Sequence, residues 1–185
     1  MSLQNITLIS FGYFDKVFVE QIAEAVNFEF HCSVTVREGH LDLSEYYDPA
    51  RRQYNGTDLL KQVAALFVPD SEKILGIFNV DLFIPILTFI FGQAFLGGGA
   101  GIASVYRLNN EFYGMKMDSG LLLDRFRKEV IHELGHTLGL IHCTNQICVM
   151  RSSTYVEDID QKTRHLCLSC RALLDQSGLE GEVSF

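Results

Sequence analysis

The sequence predicts an α/β protein that folds as a single domain. The chain has 185 residues, of which 48% are hydrophobic, so one sizeable core can form. Segments rich in β-formers alternate with segments of helical periodicity over the first two thirds of the chain. The last third instead carries most of the cysteines and histidines, which predicts a small Cys-rich lobe at the C-terminal end.

The first elements follow from local patterns. Residues 5–11 are rich in β-formers and residues 30–36 alternate between apolar and polar side chains, so both are predicted strands. The polar stretch 42–56 predicts a loop, and Thr57 is the predicted N-cap of the helix that follows. The elements predicted up to residue 83 are strands 5–11, 30–36 and 73–83 and helices 14–28 and 57–67.

Residues 82–106 form a run of 25 residues without a charged side chain. The length alone would suit a membrane span. Against a membrane helix, Pro85 and five glycines interrupt the run. We therefore expect two strands, 87–95 and 102–108, joined by a glycine-rich turn, and no membrane association.

The longest predicted helix spans residues 121–138 and is capped by Ser119. Its apolar residues recur every four positions and should face the core, whereas Lys128 and Glu129 should face water as a solvated charge pair. Downstream, the polar stretch 151–161 predicts a loop, and a last helix is predicted at 167–176.

Five residues within this helix and just beyond it spell H-E-x-x-H-x-x-G-x-x-H. They are His132, Glu133, His136, Gly139 and His142. Two histidines four positions apart share one face of a helix, so both imidazoles can bind one metal ion at about 2.0–2.1 Å. A glycine three residues later suits a helix end in the left-handed conformation, and the chain can then return the third histidine to the same ion.

This donor set predicts a catalytic rather than a structural zinc site. Three histidines leave the fourth position of a tetrahedral ion open for water. Glu133 is rotated by about 100° around the helix from His132, so it can approach that water and act as the general base. The alternative is an amphipathic helix with incidental histidines, which explains neither the third histidine nor a glutamate beside an apolar face.

The cysteines form two close pairs, Cys143 with Cys148 and Cys167 with Cys170, and Cys32 is left over. No secretory signal is visible, so we expect a cytoplasmic location, where paired cysteines are more often metal ligands than disulfides. A structural zinc site with four cysteine ligands is the favoured interpretation, with disulfides and a redox C-x-x-C as alternatives. Because the last histidine of the motif and the first cysteine are adjacent, their side chains should diverge and serve different ions.

The histidine motif followed by Met150 is similar to the metzincin signature. The added cysteines narrow the resemblance: the segment from Val130 to Cys170 resembles the archaemetzincins, small zinc metallopeptidases with a four-cysteine site. The resemblance implies a metzincin-like single domain with a mixed twisted sheet, an upper lobe at 1–139 and a lower lobe at 140–185. It also implies two zinc ions, one catalytic and one structural, and places Met150 in a methionine turn beneath the histidines.

The same resemblance implies where a peptide binds. In metzincins an antiparallel edge strand above the metal pairs with an extended substrate. By that likeness Phe91, Gly92 and Gln93 are the expected substrate contacts, although a hairpin that only packs its side chains fits the same residues. A catalytic role for Tyr155 is less expected, because the tyrosine of some metzincins lies two residues after the methionine, where this chain has Ser152.

Two functions remain open from the sequence. The first is a zinc-dependent peptidase, a hydrolase acting on peptides or unfolded proteins. The second is a catalytically silent, metal-stabilised peptide-binding module, for which Glu133 would have no use. The formal net charge of −8 disfavours nucleic acid and anionic membranes as partners, and the sequence makes no prediction of oligomeric state.

Overall fold

A computed structural model describes residues 5–67 and 72–179. The helices are α1 (Lys16–Phe30), α2 (Gly56–Phe67), α3 (Ser119–Thr137), α4 (Val156–Gln161) and α5 (Leu168–Leu179). The strands are β1 (Asn5–Phe11), β2 (Ser33–Gly39), β3 (Tyr47–Asp48), β4 (Gln53–Asn55), β5 (Lys73–Phe78), β6 (Leu82–Ile84), β7 (Leu87–Ile90), β8 (Gly92–Ala94) and β9 (Ala100–Ser104).

The main sheet has five strands in the order β2-β1-β5-β9-β8. The first four run parallel, and β8 pairs antiparallel with β9 at one edge. The central strands β1 and β5 are buried on both faces, as their continuous apolar runs predict. Helix α2 covers one face, in a core with Ile9 and Phe78, whereas α1 and α3 cover the other, in a core with Leu8 and Ile77. The predicted α/β architecture with a mixed sheet is confirmed.

The strand predicted at residues 87–95 is divided between two sheets. Its first part is β7, the edge of a second sheet with the order β3-β4-β6-β7, and its last part is β8, the edge of the main sheet. The carbonyl oxygen of Phe91 accepts a hydrogen bond from Ser104 N at 2.8 Å. Because antiparallel pairing alternates along a strand, the backbone groups of Gly92 and Ala94 point away from β9.

The second sheet corrects two predictions. The stretch 42–56, expected to be a loop, contains a 3-10 turn and the strands β3 and β4. The strand expected at 73–83 ends at Phe78, and its last part is β6, which pairs in parallel with β4. These strands have only two or three residues, so tertiary pairing rather than a sequence pattern defines them.

Other predicted boundaries also shift, and α2 begins at Gly56, so Thr57 lies inside the helix rather than at its cap. Helix α1 begins at Lys16 rather than 14, and β2 begins at Ser33 rather than 30. His31 lies between them as the C-cap of α1, in the left-handed conformation with φ of 52°. His31 is exposed and Cys32 is buried. Strand β9 occupies Ala100–Ser104 rather than 102–108.

Helix α3 is more deeply buried than its sequence predicts. Its cap is Asp118 rather than Ser119, since the Asp118 carboxylate accepts a backbone hydrogen bond from the first turn at 2.9 Å. Lys128 and Glu129 do not face water: their exposed fractions are 6% and 4%. Lys128 pairs with Asp124 at 2.7 Å. The prediction of a solvated charge pair is wrong because the helix packs on β8 and β9 and also against α1 and α4.

The C-terminal segment folds onto this helix. The stretch 151–161, expected to be a loop, contains α4. Asp158 Oδ2 accepts hydrogen bonds from Thr154 N and Tyr155 N, both at 2.9 Å. An acidic residue three positions into a helix satisfies the free N–H groups at its start. Asp158 in this position was the sequence signal that could have predicted α4.

In the described ranges, no helix has the length and apolar character needed to cross a membrane. The uncharged run 82–106 instead contains β6 to β9. The division into an upper lobe at 1–139 and a lower lobe at 140–185 stays a prediction.

Candidate metal centre

The last turns of α3 carry the first two histidines of the motif. His132 Nδ1 lies 2.8 Å from the carbonyl oxygen of Val149, and His136 Nδ1 lies 2.7 Å from that of Leu140. Because a carbonyl oxygen can only accept, each Nδ1 carries the proton and each Nε2 keeps its lone pair for a metal. The two Nε2 atoms are 3.1 Å apart.

Gly139 turns the chain so that the third histidine joins the first two. Its φ is 91°, a left-handed conformation that glycine adopts at little cost. The ring of His142 then lies with its centroid 5.3 Å from that of His132 and 4.9 Å from that of His136. One nitrogen from each ring lies within 4.8 Å of the others, so the three histidines converge on one point.

The three histidines fit a zinc ion. Burial lowers the pKa of each imidazole, most strongly at His132, and the nearby Lys162 ammonium lowers it further. The neutral form thus favoured is the form that binds metal. Tetrahedral zinc holds its nitrogen ligands about 3.3 Å apart, close to the 3.1 Å between the Nε2 atoms of His132 and His136. Two facing lone pairs at that distance repel each other unless a cation lies between them.

Glu133 lies beside the histidines in a buried position, with an exposed fraction of 4%. Within the described chain, its Oε2 has no hydrogen-bond donor. Burial raises the pKa of Glu133 well above its usual value and the Glu129 carboxyl raises it further, whereas Lys162 opposes them. A Cβ at Gly92 would come within 2.7 Å of Glu133 Cγ, so glycine is required where β8 meets this side chain.

Met150 is fully buried against the same turns of α3. A Cβ at Gly135 would clash with its sulfur, so the helix and the methionine pack closely. The Met150 carbonyl accepts a hydrogen bond from Cys143 N at 2.9 Å. This bond returns the chain towards the histidine-bearing end of α3.

A cleft of about 400 Å³ opens onto His132, Glu133 and His142. Residues 87–92 form one of its walls, and residues 152–155 form another. The cleft therefore places a substrate-sized space beside the histidine cluster and the buried glutamate.

Two of the three predicted substrate contacts line this cleft, namely Phe91 and Gly92. Gln93 does not line it: its side-chain Oε1 accepts a hydrogen bond from Thr57 Oγ1 at 3.2 Å, on the α2 side of the sheet. Sequence reasoning missed the wall formed by residues 87–90, because it treated 87–95 as one continuous strand.

Phe89 of this wall is held by a charged cluster that the sequence did not reveal. The Arg107 guanidinium stacks 4.2 Å from the centre of the Phe89 ring. The same guanidinium makes two hydrogen bonds to Asp81, at 2.6 and 2.7 Å. Side chains from three segments within residues 81–107 thus fix one aromatic side chain of the cleft.

The opposite wall carries polar side chains. Tyr155 lines it and is 63% exposed. Ser153 Oγ is buried and has no hydrogen-bond partner within the described residues. Lys162 lines the same cleft, is only 2% exposed and donates from Nζ to the carbonyl oxygen of Arg151 at 2.9 Å. Sequence reasoning did not single out Lys162, because nothing in the polar stretch around it marks a buried cation.

The four paired cysteines converge on a second point. The Sγ atoms of Cys143 and Cys167 are 3.8 Å apart, as are those of Cys148 and Cys170, and all four lie within 4.8 Å. Tetrahedral zinc with Zn–S distances of about 2.3 Å holds its sulfurs about 3.8 Å apart, whereas a disulfide needs about 2.05 Å. The cluster fits zinc, and Cys32 lies outside it as a free buried thiol.

Backbone hydrogen bonding involving Cys170 lowers the pKa of Cys167 to about 7, whereas burial raises the pKa of Cys148 and of Cys170. The Cys167 thiol is thus partly ionised at neutral pH, and a bound cation would favour ionisation of the buried thiols.

A buried carboxylate that sequence reasoning missed ties this cluster to α1. Glu29 is 2% exposed. Its oxygens accept a hydrogen bond from Leu166 N at 2.9 Å, contact His165 Nδ1 at 2.8 Å and pair with Arg171. Leu166 directly precedes Cys167 and Arg171 directly follows Cys170, so Glu29 holds the backbone N–H before the second cysteine pair and the side chain after it.

The chain matches the model of peptidase family M54 over residues 34–176. It is 37% identical to the archaemetzincin of Sulfolobus acidocaldarius over 170 residues, which cover 91% of this chain and 94% of that relative. It is 41% identical to the archaemetzincin of Pyrococcus horikoshii over 143 residues, which cover 75% of this chain and 76% of that relative.

Solved structures show the same likeness. The fold is similar to that of an archaemetzincin from Methanopyrus kandleri, with a TM-score of 0.83, 31% identity and coverage of 96% of this chain and 97% of that one. It is also similar to a zinc-dependent peptidase from Methanocorpusculum labreanum, with a TM-score of 0.79, 30% identity and coverage of 91% and 99%.

The fold, the histidine cluster and these likenesses together define a zinc-dependent metallopeptidase, which is a hydrolase. The chain belongs to peptidase family M54, the family of the archaemetzincins. The resemblance and the enzyme class predicted from the motif are thereby confirmed.

Proposed function

We propose that the protein hydrolyses peptide bonds at a zinc ion held by His132, His136 and His142, with Glu133 as the general base. One observation carries this assignment: three imidazole nitrogens converge beside a buried glutamate, and all four residues belong to the same short segment. A structural site would close with a fourth protein ligand, whereas His132, His142 and Glu133 border an open cleft.

A zinc ion held there supplies Lewis-acid chemistry, polarising a peptide carbonyl and making water more acidic. Glu133 takes the proton from the attacking water and later gives it to the leaving amine, so the carboxyl group ends each cycle as it began. The raised pKa that burial gives Glu133 brings this base closer to the strength that proton transfer near neutral pH needs.

An extended peptide is the substrate that the cleft supports. The outward-pointing backbone groups of Gly92 and Ala94 can pair with a further strand, as in β-augmentation. Phe91 and Gly92 then contact the peptide through the cleft wall. Gln93 makes neither kind of contact in this arrangement, because its side chain is bonded to Thr57 and its backbone groups face β9. Gly92 would pair with the peptide through its backbone, and its lack of a side chain leaves room for Glu133.

A second zinc ion, held by Cys143, Cys148, Cys167 and Cys170, has a structural role in this proposal. The 3.8 Å sulfur spacing and the absence of disulfides among these cysteines support it. Met150 forms the apolar floor of a methionine turn, supported by its complete burial against α3.

The sequence motif, the thiols and the net charge also support a clan, a location and a class of partner. The histidine motif and Met150 support membership of the metzincin clan. The five free thiols support a reducing, cytoplasmic location, and the net charge of −8 supports peptides rather than nucleic acid as partners.

The decisive test is cleavage of a random peptide library by the zinc-loaded protein and by Glu133→Gln. The variant keeps the shape of the side chain but removes the base, so we expect cleavage to fall about 10²- to 10⁴-fold, with metal content unchanged. Glu24→Gln, at an exposed glutamate of α1, is the matched control and should cleave like wild type.

Mass spectrometry reads both the cleavage rate and the preferred side chains. Equal cleavage by wild type and Glu133→Gln would remove the base from the mechanism. Cleavage by neither, with both metals bound, would favour the peptide-binding module instead.

A further inference from the structure

The wall of the cleft formed by residues 152–155 carries hydrogen-bond donors that the proposed reaction does not use. Lys162 directly follows the last residue of α4, and its side chain folds back to the start of this wall, where Nζ donates to Arg151 O at 2.9 Å. Lys162 borders the cleft, although only 2% of the residue is exposed. The end of α4 thus returns a buried cation to the cleft.

The ammonium group of Lys162 has unused donors. An ammonium carries three N–H groups, and within the described chain Lys162 makes one hydrogen bond and no ion pair. Burial lowers the pKa of Lys162 and the nearby carboxyl groups of Glu129 and Glu133 raise it, but neither carboxyl group accepts a hydrogen bond from Nζ. Buried polar groups are normally paired, so free N–H groups beside a cleft indicate an acceptor that a ligand supplies.

Ser153 provides a further donor on the same wall. Its Oγ is buried, has no hydrogen-bond partner among the described residues and borders the cleft. Among the described residues that line the cleft, Lys162 is the one lysine or arginine, and the opposite wall at residues 87–91 is largely apolar. A cation and a hydroxyl on one wall favour an anionic acceptor, because charge-assisted hydrogen bonds are the stronger ones.

A carboxylate is the anionic group that peptides bring. It occurs at the C-terminus of a chain and on aspartate and glutamate side chains. Glu129 and Glu133 also border the cleft and would repel it, but a zinc ion at the proposed histidine site would carry two positive charges that offset theirs. The charge of Lys162 is then available to a ligand.

We propose that Lys162 and Ser153 form a carboxylate-binding subsite, which makes peptides that present a carboxylate to this wall the preferred substrates. The inference deepens the proposed peptidase function and rests on it. The peptide backbone pairs with β8 on one side of the cleft, and its carboxylate accepts hydrogen bonds from Lys162 Nζ and Ser153 Oγ on the other. Both residues determine specificity and take no part in the bond cleavage itself.

Matched peptides test this subsite. A peptide that wild type cleaves is made as the free acid and as the C-terminal amide, and each form is made with its acidic side chains kept or replaced by their amides. We expect one carboxylate to raise kcat/KM about 10-fold or more over its neutral counterpart, and the form that loses this advantage shows whether the C-terminus or a side chain is recognised. Lys162→Met keeps the length without the charge and should abolish the preference, whereas Ser153→Ala should lower it about threefold.

The ratio between the two forms separates recognition from structure. A variant that is only less well folded cleaves both forms more slowly by the same factor, so an unchanged ratio in Lys162→Met would refute the subsite. Ser153→Ala removes a hydroxyl without a partner and keeps the test available if Lys162→Met does not fold. Lys16→Met, at an exposed lysine of α1, is the matched control and should keep the wild-type ratio.

A binding measurement distinguishes failure of this subsite from failure of the peptidase proposal. Calorimetry with the zinc-loaded protein compares acetyl-Ala-Ala and acetyl-Ala-Glu-amide with their neutral amide counterparts. A carboxylate that binds only to the zinc ion would favour the acid equally in wild type and Lys162→Met, and that result would overturn the subsite. Preferential binding that depends on Lys162, without cleavage of any peptide, would support the subsite and refute the peptidase; cleavage without preference would refute the subsite alone.

Discussion

The histidine cluster and the cysteine cluster each bring their ligand atoms within 4.8 Å of one another, yet their surroundings differ. The three histidines border a cleft of about 400 Å³ and share it with Glu129, Glu133 and Lys162. The four cysteines do not border that cleft, and their neighbour is the buried Glu29 network that fastens them to α1.

The difference distinguishes a site suited to catalysis from a site suited to a structural role. A site with three ligands, an open side and buried ionisable groups can bind and activate a substrate. A site with four thiols satisfies its ion completely and can only hold the chain together. Losing the first ion should therefore cost activity, and losing the second should cost stability.

His136→Ala should have the largest effect, because it removes a ligand of the proposed catalytic zinc. Removing one of three ligands lowers the affinity of the histidine site for zinc by at least about 100-fold, so peptide cleavage should fall to background. The cysteine site should keep its ion. Metal content by mass spectrometry, read together with activity, checks this expectation.

The matched control is His40→Ala, at an exposed histidine outside the cluster, which should retain both ions and full cleavage. Loss of both ions in His136→Ala, or of neither, would contradict the separation of the two sites.

Cys167→Ser tests whether the four-cysteine site stabilises the fold. The proposed cysteine-bound ion would hold the C-terminal segment, so the variant should lose about 3 kcal/mol of folding free energy, roughly 6–12 °C in Tm. His142→Ala, at an exposed ligand of the other site, should shift the Tm much less. Thermal unfolding followed by circular dichroism measures both variants.

Cys32→Ser replaces the one cysteine outside the cluster and should keep both metals, whatever its own effect on the core. Equal melting temperatures for Cys167→Ser and His142→Ala would remove the distinction between a structural and a catalytic ion.

Glu29→Gln should lower the folding stability by a smaller amount than Cys167→Ser. The substitution removes the charge that pairs with Arg171 and accepts from Leu166 N. Breaking a buried pair typically costs about 3–5 kcal/mol; because the Arg171 side chain is 29% exposed, we expect about 2 kcal/mol. Chemical denaturation measures the loss, and cleavage by the folded variant should stay near wild type.

Glu20→Gln on the same helix serves as the control: Glu20 forms an exposed pair with Lys16, and its substitution should leave stability unchanged. A Glu29→Gln protein as stable as this control would show that the cysteine site does not depend on its anchor to α1.

Sequence reasoning succeeded where the relevant distances lie within one helix or one tight turn. The spacing of His132 and His136 determines that their rings share a face of α3, and Gly139 marks the turn that brings His142 back. It failed on Lys128 and Glu129, because the pattern of one helix does not show that α4 covers its polar side. It also failed on residues 87–95, whose division between two sheets depends on distant strands.

By itself, the sequence determined the histidine and cysteine groups and the α/β class, since these follow from patterns and spacings of a few residues, and the same residues carried the resemblance to the family. The tertiary structure alone decided which groups contact one another: Glu29 with Leu166, 137 positions apart in the chain, and Phe89 with Arg107, which also binds Asp81. The physical reason is that helical and strand periods are properties of adjacent residues, whereas desolvation and ion pairing depend on every segment that packs against a side chain.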